Sequence, residues 1–330
     1  MARPRIAIVF TGGTISMLLD PATGAAVPTL DGAAILARSP GLAEVADLIP
    51  IDWGLVPASH LSFAQLLDIA SIVRAQLAHA DVAAAIVVQG TDVIEETAFA
   101  FDLLVAAPQP VVVVGAMRNA ADPGYEGPAN LRDAVLAAVA PGLRDQGTVV
   151  VMGGAILPAD DVTKTHTSAY DTFAARNLGP LGVVTGEGAI VGRRRIGRRV
   201  LATMPAAAVE PIALVTATVA SDGAPLRWAM AGGARGIVVA ATGAGNTHHD
   251  LLAAAEEAMA AGIPVVLASR VPSGRVAPTY GFPGGGATWM AAGAIPAGFL
   301  TPTKARIALA LGMGAGLDDS GLRALFADPA

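Results

Sequence analysis

Four short clusters in this 330-residue sequence bring hydroxyl, carboxylate or amine groups together, three of them beside glycine. The first is Thr11-Gly12-Gly13-Thr14. Its glycines allow a sharp turn and a close backbone approach to a ligand, and a threonine hydroxyl at the tip is a possible nucleophile. The same residues also suit an ordinary glycine turn whose threonines cap backbone groups. The second cluster is Gln89-Gly90-Thr91-Asp92, followed by Glu95-Glu96-Thr97. Asp92 and Glu95 by themselves make a normal helix start, while Thr91 beside Asp92 sets a hydroxyl and a carboxylate together. The third is Asp161-Val162-Thr163-Lys164-Thr165. Of 21 Lys and Arg residues only Lys164 and Lys304 are lysines. Arginine keeps its proton at ordinary pH, whereas a partly buried lysine can release one. Lys164 beside a hydroxyl could therefore be a base or proton carrier; a surface lysine placed by chance is the plainer alternative. The fourth cluster runs Gly243-Ala244-Gly245-Asn246-Thr247-His248-His249-Asp250. Its glycines could admit a ligand or a partner loop, and Thr247 with Asp250 also suits a helix cap.

Such groups need elements to hold them. Arg5–Phe10, Ala83–Val88, Val111–Val114 and Thr148–Met152 are short apolar runs without alternation, the pattern of parallel strands covered on both faces. Helices are predicted at Ser62–Ala78, Asp92–Val105 and Leu131–Ala140. The first opens on the capping-box pair Ser62 and Gln65 and places Phe63, Leu66, Leu67, Ala70, Val73 and Leu77 on one face. Strands and helices alternating in this way specify an α/β fold with a mostly parallel sheet flanked by helices. A second alternation follows, with strands at Ile212–Thr218, Gly236–Ala241 and Pro264–Ser269 and helices at Asp250–Ala261 and Lys304–Leu311. The expected organisation is a larger N-terminal domain over residues 1–200, a linker over 201–211 and a smaller α/β domain over 212–330. In open α/β sheets the ligand sits outside the carboxyl ends of the strands, and the first, second and fourth clusters each follow a predicted strand.

Composition excludes several chemistries. With no cysteine there are no disulfides, thiolate metal sites or cysteine nucleophiles. No Walker A pattern and no G-x-G-x-x-G follows a strand, so no nucleotide cofactor is expected. None of the five histidines shows metal-ligand spacing, and neighbours on a helix point apart, so no metal is expected. A net charge of −6 argues against a nucleic-acid partner. One basic run, Arg193 to Arg199 with Ile196 and Gly197 inside it, reads as a solvated turn or linker, or else as an anion patch. Hydrophobic residues make up 53% of the chain, yet no apolar segment reaches the ~20 residues of a spanning helix. The apolar stretch near the N-terminus is too short for a signal peptide. A soluble, cytoplasmic protein is expected.

Taken in order, these pieces resemble the bacterial-type L-asparaginase family. The likeness runs along nearly the whole chain. It includes Val113-Val114-Gly115-Ala116-Met117-Arg118, Gly179-Pro180-Leu181-Gly182, Ser269-Arg270-Val271-Pro272-Ser273-Gly274 and Thr303-Lys304-Ala305-Arg306. The resemblance implies a cofactor-free amidohydrolase acting on a small-molecule amide, assembled as a homodimer or homotetramer. It implies that Thr14 is the primary nucleophile and that Thr91, Asp92 and Lys164 act together as a second group. Ser59 would bind the substrate α-carboxylate, followed by His60 where glutamine is common, and Asp92 would face the α-ammonium. Gly90 and Ala116 would complete the pocket, with backbone N–H groups near Thr91 and Ala116 as an oxyanion hole. Asn246 matches an asparagine supplied by a neighbouring subunit. Asparagine is the expected substrate. Glutamine or another small amide is the alternative, and an amino-acid-binding sensor without turnover is the alternative of another class. Many members carry a tyrosine on the lid that follows the nucleophile. Residues 15–31 contain none, and the chain's tyrosines are Tyr125, Tyr170 and Tyr280; Tyr280 is the candidate to take its place.

Overall fold

A computed structural model describes residues 3–329, which divide at Val200 into two compact units. The first unit opens with β1 (Arg5–Phe10), a hairpin of β2 (Met17–Leu19) and β3 (Ala26–Pro28), the short helices α1 (Gly32–Ala37) and α2 (Leu42–Val45), and β4 (Asp47–Asp52). There follow α3 (Phe63–Leu77), β5 (Val82–Val88), α4 (Ile94–Leu104), β6 (Val111–Val114), α5 (Gly127–Ala138) and β7 (Thr148–Met152). The strands β8 (Ala155–Pro158), β9 (Val162–Lys164), β10 (Phe173–Ala175), β11 (Gly182–Thr185) and β12 (Gly188–Val191) close the unit.

Eight of these strands form one sheet in the order β12-β11-β8-β7-β6-β5-β1-β4. The run from β4 to β7 is parallel and the β7-β8-β11-β12 side is antiparallel. The expected mostly parallel α/β architecture is therefore the observed one. Its apolar runs behave as strands buried on both faces should: all four valines of β6 are buried at the middle of the sheet. The strand β4 does not stand out in the sequence because Pro50 interrupts its three apolar residues and an exposed aspartate stands at each end. It lies at the sheet edge, where a proline is tolerated. Helix α3 carries the expected capping box, with Ser62 and Gln65 each accepting the other's backbone N–H, and its six predicted core residues are buried.

The basic run is solvated only in part: Arg193, Arg194 and Ile196 are exposed, while other members of it turn inward. Arg195 lies with its side chain 6% exposed between Asp102, at 2.8 Å, and Asp160, at 2.9 Å. Arg198 donates through Nε to Asp102 at 3.1 Å and through Nη2 to the Val105 carbonyl at 3.1 Å. Arg194 reaches the Arg144 carbonyl. Asp102, near the end of α4 and fully buried, also accepts the Thr148 N–H at 2.9 Å. Burial opposes the charge on Arg195, but Asp102 and Asp160 outweigh it and hold the guanidinium above its ordinary pKa. The run is thus a clasp that fixes the far end of α4. Sequence periodicity could not show this, because Asp102 lies more than ninety residues away.

The second unit is a four-stranded parallel sheet in the order β13 (Ile212–Thr216), β14 (Gly236–Ala241), β15 (Val265–Ser269), β16 (Ile295–Pro296). Its helices are α6 (Ala224–Ala231), α7 (His249–Ala260), α8 (Gly286–Ala291), α9 (Pro302–Gly314) and α10 (Asp319–Phe326). Trp289, Leu251, Val239 and Leu267 are central to its core. Lys304 is completely buried in α9. Residues 201–211 run within this unit, where Leu201 is buried and the Val209 N–H donates to the Ala310 carbonyl. Among the described residues, no helix is long and apolar enough to cross a membrane.

Candidate active site

The parallel strands of the first unit end almost level, with Phe10 in register with Asp52 and Val88, and Val88 in register with Val114. The loops that leave them therefore start side by side, and backbone contacts bind them together. Gly13 is the tightest example. It has φ +86, and a Cβ placed on it would lie 2.0 Å from the Gly90 nitrogen. Only glycine permits this approach. The contact seats the turn bearing Thr14 against the turn bearing Thr91. Thr14 begins a 3₁₀ turn over Thr14–Ser16 and is half-buried. Ser16 closes that turn by donating its hydroxyl to the Gly13 carbonyl at 2.7 Å.

The second group is assembled from two segments about seventy residues apart. Thr91, 4% exposed, begins a 3₁₀ turn over Thr91–Val93 that leads into α4. Opposite it, the β9-β10 hairpin presents Lys164 at the end of β9. Lys164 Nζ lies 3.0 Å from Thr91 Oγ1 and 3.1 Å from Asp92 Oδ1. The lysine side chain is 17% exposed and that of Asp92 68% exposed. Glu95 Oε2 accepts the Lys164 backbone N–H at 3.0 Å and so fixes the end of the hairpin. Asp92 and Glu95 are accordingly not the helix caps that their spacing suggests. Val93 occupies the cap position of α4 without a side-chain bond, and both carboxylates are directed to Lys164. Nor is either lysine a surface residue. The positioning role of Glu95 was missed because its sequence context is that of a capping box.

The other predicted residues divide by unit. Ser59 and His60 are exposed on a 3₁₀ turn over Ala58–His60, and Ala58 of that turn lies against Gly90. Ala116 is fully buried just beyond β6, in a loop tied to α5 by the bond from Asn130 Nδ2 to the Gly115 carbonyl. Among the described residues, the backbone N–H groups of Thr91 and Ala116 donate to no protein acceptor. Asn246 belongs to the second unit, in the turn after β14, where its Oδ1 accepts the Gly286 N–H at 3.3 Å. Tyr280 also lies in the second unit. Tyr125 belongs to the first unit, and its hydroxyl donates to the Ile15 carbonyl, just after Thr14, at 2.8 Å.

A triad of possible metal ligands exists where none was expected. His248, His249 and Asp250 bring their ligand atoms within 4.8 Å of one another at the start of α7. They meet because His248 is the extended cap residue rather than part of the helix, so its ring stacks on that of His249 at 4.1 Å. All three are exposed, and His248 Nδ1 already accepts the Asp250 N–H, the cap assigned from sequence to Thr247. Thr247 instead accepts from the Trp289 indole.

Family models match both units of the chain. The family model described as "Asparaginase, N-terminal" matches residues 5–196, and "Glutaminase/Asparaginase C-terminal domain" matches residues 211–326. A "Probable L-asparaginase" from Deinococcus radiodurans is 35% identical, over 98% of this chain and 97% of that protein. "L-asparaginase 2" of Escherichia coli is 30% identical over 99% of this chain and 93% of its own length. Among solved structures, a "Probable Cytoplasmic L-asparaginase" from Campylobacter jejuni superposes with a TM-score of 0.87 at 26% identity, covering 99% of both chains.

Proposed function

The chain belongs to the L-asparaginase family of amidohydrolases, and on that premise we propose that it hydrolyses L-asparagine to L-aspartate and ammonia with Thr14 as the nucleophile. The observation that carries this reading is Lys164 Nζ, held 3.0 Å from Thr91 Oγ1 and 3.1 Å from Asp92 Oδ1, with the Thr14 turn seated beside them by the Gly13–Gly90 contact. A threonine hydroxyl is a weak nucleophile until a base takes its proton. In the proposed course Lys164, acting with Thr91, removes that proton as Thr14 Oγ1 attacks the side-chain amide carbon. The oxygen that gains charge is met by the backbone N–H groups of Thr91 and Ala116, each such donor being worth ~3 kcal/mol.

Collapse of the tetrahedral adduct breaks the carbon–nitrogen bond, and the proton held by Lys164 and Thr91 leaves with the nitrogen as ammonia. Water then adds to the acyl-threonine ester, releasing aspartate and restoring the Thr14 hydroxyl. The exposed Asp92 carboxylate suits the substrate α-ammonium, and Ser59 on the adjoining turn suits the α-carboxylate. Asn246 would be supplied by a second copy of the chain, in a homodimer or homotetramer.

The test is ammonia release from millimolar asparagine by the purified protein and its Thr14→Ala variant. Turnover by the parent and loss of at least a thousandfold in the variant are expected; full turnover in the variant would exclude Thr14 as nucleophile. Mixing inactive Thr14→Ala with an Asn246→Ala variant extends the test to the assembly. Activity recovered on mixing is expected if one copy supplies Asn246 to the other, and no recovery would count against shared sites.

A further inference from the structure

The hairpin that follows Thr14 is held down by residues 117–126, a segment the mechanism above does not use. The Ala120 N–H donates to the Met17 carbonyl at 3.0 Å, and Tyr125 Oη donates to the Ile15 carbonyl at 2.8 Å across 110 positions of sequence. The second bond satisfies a group that local structure leaves over. Within the 3₁₀ turn the Gly13 carbonyl takes the Ser16 N–H and the Thr14 carbonyl takes the Met17 N–H. The Ile15 carbonyl lies at the end of the turn, where helical carbonyls run out of backbone donors.

Tyr125 is itself firmly seated. Gly127 makes room for its ring: a Cβ at that position would lie 2.2 Å from the phenol oxygen and 2.3 Å from Cζ. The next residue, Glu126, accepts the backbone N–H groups of Met117 and Arg118, tying the same segment to the loop of Ala116. Burial pushes the phenol up to about 12, with Arg38 opposing and Glu126 adding to the shift. Tyr125 thus remains an un-ionised donor throughout the range in which an amidohydrolase is assayed.

We propose that Tyr125 is a positioning residue for Thr14, its hydroxyl locking the turn that aims the nucleophile at the amide carbon. The proposal rests on the assignment of Thr14 above. A nucleophile displaced by about an ångström loses roughly a hundredfold in rate, so a loosened turn lowers turnover more than it lowers substrate binding.

Tyr125→Phe keeps the ring and removes only the hydroxyl. The expected result is a fall in kcat of about tenfold or more with KM changed less than about threefold. Faster amide hydrogen exchange is expected at residues 15–20, with exchange in α3 and β5 unchanged. The pH profile of kcat/KM should keep its shape, since Tyr125 moves no proton in the reaction. Unchanged kcat together with unchanged exchange overturns the proposal. A profile displaced by a pH unit or more overturns it too, because Tyr125 would then be a proton-transfer group. The exchange measurement needs no substrate, so it reports on the latch even if Thr14→Ala retains turnover and the nucleophile assignment fails.

Discussion

Near each end of helix α4 an aspartate faces a cation at nearly the same distance, and the two pairs differ in their surroundings. At the start, Asp92 meets Lys164 at 3.1 Å; near the end, Asp102 meets Arg195 at 2.8 Å and Arg198 at 3.0 Å. The Asp92 side chain is 68% exposed and that of Asp102 1% exposed. Both Asp102 oxygens are committed, one to Thr148 and Arg198 and the other to Arg195. Its partners are arginines, which keep their protons, so the cluster can only hold. Asp92 keeps acceptor capacity toward solvent, and its partner is a lysine that also touches a buried hydroxyl. Distance alone does not distinguish a fastener from the working site proposed for Lys164. The exposure of the acid and the ability of the cation to release a proton do.

The contrast can be broken at either end. Asp102→Ala takes the buried carboxylate from Arg198 and leaves Arg195 with Asp160, and removing one partner of a buried pair typically costs about 3–5 kcal/mol. Chemical denaturation should show a loss of that size, while turnover per folded molecule stays near the parent value. Lys164→Arg keeps a cation beside Asp92 but removes the proton that can move. Ammonia release should fall by about 10²–10⁴-fold with the denaturation midpoint nearly unchanged. Similar stability losses at both ends would erase the distinction drawn here. The smallest effect belongs to the open pair: Asp92→Asn should change stability by only ~0.2–1 kcal/mol, because the exposed partner is screened by water and salt. Its main consequence should be a higher KM for asparagine.

These ends also show what sequence could and could not reveal. The buried strands were legible because burial on both faces leaves an unmistakable apolar run, and β1, β6 and β7 have the limits their residues predicted. Lys164 stood out because lysine is scarce beside arginine in this chain. What could not be read was which partner a local motif serves. Asp92 and Glu95 have the spacing of helix caps and are taken instead by Lys164, about seventy residues on. The basic run has the composition of a solvated turn and is buried in part by Asp102. Tyr125 carried no signal, since its importance depends on the Ile15 carbonyl and on the space left by Gly127. Local propensity describes what a segment can do alone, and each of these residues is used by something distant.

The clasp joins residues made far apart in time. Asp102 is made more than ninety residues before Arg195 and Arg198, the arginines that neutralise it. A chain that ends before them can bury Asp102 only by protonating it or by meeting the cost of an unpaired charge. The first unit therefore reaches its finished form only when its last few residues arrive.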